Sequence, residues 1–379
     1  MWSPGCCSTA PRWMKRREPV QPQSLGNSHA GDSQVANPSH PGEKTMNQSS
    51  HQIQLLRRPV GLPSLADFTL TEVTLPDLQE GEVQVANQWL SVDPYMRGRM
   101  SEAKSYVPPF PLNGPLDGGA IGVVEASRHP NFAVGDRVSS MLGWRDRFVA
   151  NGAQLTRLPD TRLPPQLFLG ALGMPGMTAW TGLNRIAKLQ AGETVLVSAA
   201  SGAVGTMAVQ LAKRAGARVI GSTGSADKVA YLKSLGADEV INYRATADLD
   251  AELARLAPEG IHVYFENVGG AMLDAALNHM VVHGRIVMCG LIEQYNGQSE
   301  ASGPRNLSQM IRKRILMQGL LVSDHWQHYG EFLAEAIPAF EAGALQTEET
   351  VYQGLASMPQ AFIGLFEGRN TGKMLVKLA

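Results

Sequence analysis

The sequence predicts an α/β protein in two parts, a β-rich N-terminal region and a doubly wound parallel sheet, with a closing strand at the C-terminus. Three observations predict it. From about Gly173 to Val322, short apolar runs alternate with stretches of helical spacing, as in five strand–helix units and a sixth strand. From about Gln52 to Val149, apolar and polar residues alternate instead, in short runs divided by glycine turns. After about Gly343 the pattern returns to strand, ending in Lys373-Met-Leu-Val-Lys-Leu378.

In the first region, strands are expected at Phe68–Val73, Glu82–Ala86 and Gly122–Glu125. Turns are expected at Gly81, Gly118-Gly119 and Gly135-Asp136. The strands of the second region are Thr194–Ser198, Arg218–Ser222, Val240–Tyr243, His262–Glu266, Arg285–Met288 and Ile315–Val322. Right-handed crossovers make such a series one parallel sheet covered on both faces. The C-terminal strand follows the finished series and is expected to pair back with the N-terminal region. The substrate cleft then lies between the two.

The first strand of the series carries the most information. Thr194, Val195 and Val197 form a buried β-branched run that breaks at Ser201-Gly202. Helical spacing then begins with Val204, Met207, Ala208, Leu211 and Ala212 and stops at Gly216. This strand, glycine turn and helix read as the phosphate-binding corner of a Rossmann dinucleotide fold. Gly202 lets the backbone approach a pyrophosphate, Gly205 lets the helix pack closely, and the helix N-terminus offers free N–H groups. Ala200 stands where the first glycine of G-x-G-x-x-G belongs, so on this motif alone an ordinary tight turn is the competing reading.

An NAD-selective fold carries an Asp or Glu at the end of the second strand. Here the chain reads Ser222-Thr-Gly-Ser-Ala-Asp-Lys228, and Tyr243 closes the third strand. A missing carboxylate with an added cation suits a 2′-phosphate, so the expected cofactor is NADPH/NADP+. Asp227 has two readings, a ribose ligand or a dipole partner in the first turn of the next helix.

Composition excludes other classes. A net charge of −1 argues against an electrostatic nucleic-acid binder, and no apolar run reaches the length of a membrane span. Cys6 and Cys7 are adjacent, and Cys289 stands alone in the body. That is no disulfide framework and no four-cysteine zinc lobe, and it points to a reducing, cytoplasmic setting. Residues 1–45 have no hydrophobic period and read as a disordered extension or as a start placed too early, with Met46 the initiator. Prolines spoil the amphipathic presequence that Lys15-Arg16-Arg17 would otherwise suggest.

Five segments give the chain a likeness: Ser91-Val-Asp-Pro-Tyr-Met-Arg-Gly98, Gly173-Met-Pro-Gly-Met-Thr-Ala179, Glu266-Asn-Val-Gly-Gly270, Cys289-Gly-Leu-Ile-Glu-Gln-Tyr-Asn296 and Gly368-Arg-Asn-Thr-Gly-Lys373. In this order and spacing they resemble the zinc-free medium-chain dehydrogenase/reductases of the alkenal/one reductase branch, which includes the prostaglandin/leukotriene reductases. Ser105-Tyr-Val-Pro-Pro109 makes the resemblance nearest to the bacterial NADPH-dependent curcumin reductases. The likeness runs from Gln52 to Ala379. It implies a GroES-like catalytic domain over 46–172, a Rossmann NADP-binding domain over 173–342 and a return to the catalytic domain over 343–379. It also implies a cytoplasmic homodimer.

Zinc-dependent relatives carry a Gly-His-Glu ligand motif where this chain reads Asp117-Gly-Gly-Ala-Ile-Gly-Val-Val124, and no body cysteine besides Cys289 remains. A zinc site needs three or four ligands, and none is set out here. His279 with His283, and His325 with His328, have metal-like spacing, but no glutamate stands between the members and no third ligand lies nearby. They read as structural or surface residues, and no metal is expected.

Without a metal, hydride must go to an acceptor that needs little polarisation. The β-carbon of an enal or enone is suitable, because the charge moves to a distant oxygen. The enzyme then supplies a hydrogen-bond donor there and a proton for the α-carbon. Tyr295, in a loop at the carboxyl edge of the sheet, is the leading candidate, with Tyr95 and Tyr106 facing it from the β-rich region. By the resemblance, Gly202, Ala203, Val204 and Gly205 cradle the pyrophosphate, while Lys228 and Tyr243 take the 2′-phosphate. Asn267 stands near the adenine-side ribose or the nicotinamide. Cys289, Gly290, Leu291 and Tyr295 line the nicotinamide, with Thr178 and Asn370 reaching it. Cys289 reads as a small apolar residue rather than a nucleophile. The competing functions are a quinone reductase and an NADPH-binding protein of weak activity.

Overall fold

The computed structural model describes residues 49–297 and 303–378. The readings for residues 1–45, for Met46 as initiator and for Cys6 and Cys7 lie outside those residues.

In the N-terminal region, β1 (Ser49–Leu55) pairs antiparallel with β2 (Phe68–Thr74). Then come β3 (Glu82–Ser91), the short helix α1 (Met96–Arg99), β4 (Ala120–Ser127), β5 (Arg137–Ser140), β6 (Arg147–Asn151) and β7 (Thr156–Arg157). β3 runs well beyond the expected end at Ala86. The polar pair Asn87-Gln88 breaks the apolar alternation at a bulge, where the Asn87 amide donates to the carbonyls of Leu142 and Arg145. Strands β1 and β5–β7 were not anticipated; β5 to β7 are short and partly exposed, and carry little apolar pattern.

The second region opens with α2 (Met174–Thr181) and continues through β8 (Thr194–Val197), α3 (Ala203–Arg214), β9 (Arg218–Thr223) and α4 (Asp227–Ser234). Next come β10 (Glu239–Asn242), α5 (Leu249–Leu256), β11 (Ile261–Glu266), α6 (Gly270–His279) and β12 (Met280–Met288). The series ends with α7 (Ser308–Lys313), β13 (Leu316–Gly319) and α8 (Tyr329–Glu341). Strands β8–β13 form one parallel sheet in the order β10-β9-β8-β11-β12-β13. The order reverses between β8 and β11, which places a ligand crevice at their carboxyl ends. All four residues of β8 are buried, and α3 seals it with Met207, Ala208, Val209 and Ala212.

The sixth strand is shorter than expected. Its partner β12 ends at Met288, whose carbonyl takes the Leu320 N–H, and beyond that point the ladder has nothing to pair with. Val322–His328 instead forms a 3₁₀ segment. β12 is longer than expected, starting at Met280 with His283 at φ +63°.

After β14 (Glu349–Gln353) and α9 (Met358–Phe366), the last strand β15 (Lys373–Lys377) returns to the N-terminal region, where a first, seven-stranded sheet runs β14-β15-β3-β4-β5-β7 with β6 also on β3, and Leu375 stands opposite Ser91 of β3. A buried ion pair fixes this return. Lys373 Nζ stands 3.0 Å from Asp93 Oδ1 and donates to the carbonyls of Val92 and Met374. Burial pulls the lysine pKa down, and Asp93 opposes that pull.

Candidate active site

At the crevice, the turn after β8 begins at Ala199, which adopts a left-handed conformation (φ +46°), and ends at Gly202, the extended cap of α3. A Cβ on Gly202 would meet only the Ala199 carbonyl, at 3.3 Å, so this position stays open to a ligand. A Cβ on Gly205 would lie 2.4 Å from the Ala199 oxygen and 2.6 Å from Ala200 Cα. Glycine at 205 is therefore what lets the helix N-terminus sit on the turn. Ala203 and Val204 form the first turn of α3, whose free N–H groups face the crevice mouth. The returning tail closes one side, with Gly372 N–H on the Ser201 carbonyl at 2.8 Å.

The end of β9 carries no acid. Ser222 and Thr223 are buried, and Thr223 Oγ1 lies 3.1 Å from Ser201 Oγ, so this hydroxyl serves the turn itself. Asp227 is the first residue of α4. Lys228 donates to the Gly368 carbonyl at 2.7 Å, and burial together with the nearby Arg244 lowers its pKa. Tyr243 follows β10, partly exposed, with the Arg244 guanidinium 6.0 Å from its ring centre. A Cβ on Gly224 would fall 2.5 Å from the Tyr243 hydroxyl. Two cations, a phenol and a bare glycine thus share one corner, a set suited to a phosphate. Arg244 was not anticipated as part of it.

Across the crevice, Ser198 and Glu266 are buried at the ends of β8 and β11 and joined by a 2.7 Å hydrogen bond from the Ser198 hydroxyl. Burial pushes the Glu266 pKa up, against the hydrogen bonds from Tyr264, Val268, Ser198 and Gly269. Asn267 donates its backbone N–H to Ser198 Oγ at 2.7 Å and its side-chain amide to the Ser198 carbonyl at 2.8 Å. Cys289 and Gly290 both donate backbone N–H groups to the Glu266 carbonyl. Burial pushes the Cys289 thiol up to about 12, so it stays protonated at neutral pH.

Leu291 leads into the loop that carries Tyr295. Burial raises the Tyr295 pKa, while a backbone hydrogen bond from Leu291 pulls the other way. The phenol thus stays neutral, and its O–H proton is free to be donated. The next residue, Asn296, accepts a hydrogen bond from the buried Arg97 of α1 at 3.2 Å, which links the Tyr295 loop to the first sheet. The Tyr95 hydroxyl is buried without a partner, and burial followed by Asp93 raises its pKa. Tyr106 is 62% exposed. Tyr106 lies near enough to Tyr95 and to Tyr295 to raise the pKa of each.

Two predicted residues have their polar groups engaged locally. Thr178 Oγ1 donates to the Met174 carbonyl within α2, and the Asn370 amide donates to the Gly372 carbonyl. The histidine pairs do not converge. His279 lies 3.2 Å from Asp250, whereas His283 is exposed on β12; His328 bonds Glu331. Among the described residues, no three His, Cys, Asp or Glu side chains are disposed to hold a metal ion, and no helix is long and apolar enough to cross a membrane. A cavity of about 390 Å³ lies elsewhere, around the Glu193–Arg285 fork between Arg185 and Gln318, and contains none of these residues.

Comparison with known proteins agrees with this geometry. Residues 51–158 match the family described as the N-terminal domain of oxidoreductase, and residues 203–337 match the zinc-binding dehydrogenase family. The NADP(+)-dependent 2-alkenal reductase of Nicotiana tabacum is 44% identical over 337 residues, covering 87% of this chain and 98% of its own. The NADPH-dependent curcumin reductase of Escherichia coli K12 is 38% identical over 338 residues, 88% of this chain and 98% of its own. The crystal structure of CurA from Vibrio vulnificus in complex with NADPH superimposes with a TM-score of 0.82 at 42% identity, covering 87% of this chain and 99% of that one. With the parallel sheet and the glycine turn, these likenesses place the chain in the medium-chain dehydrogenase/reductase family, in its zinc-independent alkenal/one reductase branch.

Proposed function

We propose that this protein is an NADPH-dependent reductase of the carbon–carbon double bond of α,β-unsaturated aldehydes and ketones. The observation that carries the reading is the Tyr295 hydroxyl beside the Cys289–Leu291 turn, 3.2 Å from where a Cβ on Gly290 would lie, and the nearness of Tyr106 to both Tyr95 and Tyr295 supports it. Neutral phenols there suit a substrate whose oxygen becomes negative during reaction.

The chain's residues fit the cofactor. Gly202, Ala203, Val204 and Gly205 would hold the pyrophosphate at the α3 N-terminus, and the open space beside Gly202, where a Cβ would meet only the Ala199 carbonyl, is the ground for this. Lys228 and Tyr243, with Arg244 beside them, would take the 2′-phosphate. Asn267, Cys289, Gly290, Leu291 and Tyr295 would line the nicotinamide end, with Thr178 and Asn370 at its margin.

When bound, NADPH supplies the hydride that reaches the substrate β-carbon. Tyr295 donates its O–H hydrogen bond to the carbonyl oxygen, which gathers the negative charge of the enolate. Tyr95, whose buried hydroxyl has no protein partner, is our second candidate donor for that oxygen. The α-carbon then takes a proton from solvent water, leaving hydroxide to be neutralised by the buffer, and the saturated carbonyl compound leaves with NADP+ as the other product. Burial, which pushes the Cys289 thiol up to about 12, supports reading it as a lining residue rather than a nucleophile.

We also assign the protein to the cytoplasm, on its sparse cysteines, and to a homodimer. The dimer reading is supported by β13, an edge strand paired on one side with Leu316 52% exposed, and by Ile311 of α7, 81% exposed. The function is tested by following NADPH oxidation against alkenals, alkenones, quinones and alcohols. Enone turnover to the saturated product is expected. Turnover of quinones alone would favour quinone reduction, and NADPH binding with no turnover would favour a binding protein.

A further inference from the structure

We infer that Glu266 is a positioning residue for the nicotinamide half of the site, one carboxyl oxygen fixing the two strand ends between which the cofactor crosses. This rests on the reading that Asn267 and the Cys289–Leu291 turn face the nicotinamide. Glu266 Oε1 accepts three hydrogen bonds, from the Ser198 hydroxyl at 2.7 Å and from the N–H groups of Val268 at 2.5 Å and Gly269 at 3.0 Å. The first bond spans from β8 to β11 across the point where the sheet order reverses. The other two hold the turn into α6, where Gly269 and Gly270 have φ of +91° and +54°. Such a left-handed pair has no regular ladder to fix it, and the carboxyl takes that role.

The same residue reaches the neighbouring strand through its backbone. Its carbonyl accepts Cys289 N–H at 2.9 Å and Gly290 N–H at 3.1 Å. Ser198, oriented by the carboxyl, accepts Asn267 N–H in turn. The Asn267 amide and the 289–291 turn are therefore set by one wholly buried side chain. Tyr264 also interacts with this carboxyl, but neither Glu266 Oε2 nor the Tyr264 hydroxyl has a partner at regular hydrogen-bond geometry. An apolar side chain would fill this volume without burying a carboxyl, but it would leave the Val268 and Gly269 N–H groups and Ser198 without an acceptor. None of these contacts lies on the 2′-phosphate side, where Lys228 and Tyr243 stand.

That separation gives the test. Dissociation constants of NADPH and of adenosine 2′,5′-bisphosphate, which lacks the nicotinamide half, are measured for the full-length protein and for Glu266→Leu, Glu266→Gln and Ser198→Ala. Glu266→Leu should weaken NADPH by about tenfold or more and leave the bisphosphate within about twofold. Glu266→Gln should recover most of the lost affinity, because its amide oxygen can accept the same three donors. Ser198→Ala should show the same split to a smaller extent, and it decides the question if Glu266→Leu does not fold. Parallel weakening of both ligands, or no change in either, would overturn the assignment. Failure of the unmodified protein to bind either ligand would instead overturn the cofactor reading on which it rests.

Discussion

Replacing Lys228 by alanine separates two contributions that the structure places on one side chain. The ammonium donates to the Gly368 carbonyl at 2.7 Å, a contact with the returning tail that involves no cofactor atom. It also stands with Arg244 and Tyr243 in the corner assigned to the 2′-phosphate, a group that NADH lacks. Losing the tail contact, which is partly exposed, should cost about 0.5–1.5 kcal/mol and weaken both cofactors alike. Losing a charge-assisted phosphate contact should cost about 1.5–3 kcal/mol and weaken NADPH alone. The ratio of kcat/KM for NADPH to that for NADH cancels the first effect and isolates the second. It should fall roughly ten- to a hundred-fold in Lys228→Ala. It should not fall to one, because Arg244 remains. A proportional loss with both cofactors would mean that Lys228 acts only through the tail, and the 2′-phosphate assignment would be refuted.

Tyr295→Phe should lower kcat by roughly ten- to a hundred-fold with the NADPH dissociation constant unchanged. An unaltered kcat there, with a large drop in Tyr106→Phe or Tyr95→Phe, would move the donor to the other side of the cleft. Gly205→Ala forces a Cβ to within 2.4 Å of the Ala199 carbonyl and should cost about 1–3 kcal/mol in thermal melts while abolishing NADPH binding; a normal melting temperature with normal binding would disprove the close approach. Glu193 is held below its ordinary 4.5: burial alone would raise it, but the Arg285 fork and the Gln190 N–H outweigh burial. Its contribution is therefore full above that value and is lost as pH falls, so the stability gap between the protein and Glu193→Gln in urea should shrink from pH 7 to about pH 3; a constant gap would contradict this. Dialysis against a strong chelator should leave enone reduction unchanged, since Gly118, Gly119 and Ala120 offer no ligand where the zinc-dependent relatives carry theirs; activity that follows zinc content would reverse that reading.

The elements legible in the sequence are those whose pattern is local. Thr194–Val197 is buried throughout and reads as a continuous apolar run, and the α3 face that covers it repeats at helical spacing. The parallel, doubly wound arrangement also follows from alternation and handedness, whereas the strand order comes from the structure. Strands β5 to β7 escaped notice because they are short and their partners decide them, as Arg147 opposite Ala86 illustrates. Parts of the site escaped for the same reason. Ser198 and Glu266 meet across 68 positions, and nothing in either local run marks the pairing. Thr178 is placed by the resemblance alone; its hydroxyl donates a hydrogen bond to the carbonyl four residues back, a local contact common for a threonine inside a helix, and its oxygen can still accept one.

The returning tail shows what such distant pairings do for the site. Within six residues it touches three of its parts: Gly368 takes Lys228, Gly372 donates to the glycine turn at Ser201, and Lys373 holds Asp93, two residues before Tyr95. The Lys373–Asp93 contact closes a loop of 280 positions, and the Lys228–Gly368 contact one of 140. Removing one partner of a buried pair such as Lys373–Asp93 leaves an uncompensated charge, which is far more costly than weakening an exposed pair. The tail is therefore the segment through which the phosphate corner, the glycine turn and the Asp-Pro-Tyr-Met loop are held in register. On this view damage at Lys373 would reach the cofactor corner and the tyrosine cleft together, whereas damage at Lys228 stays within the corner.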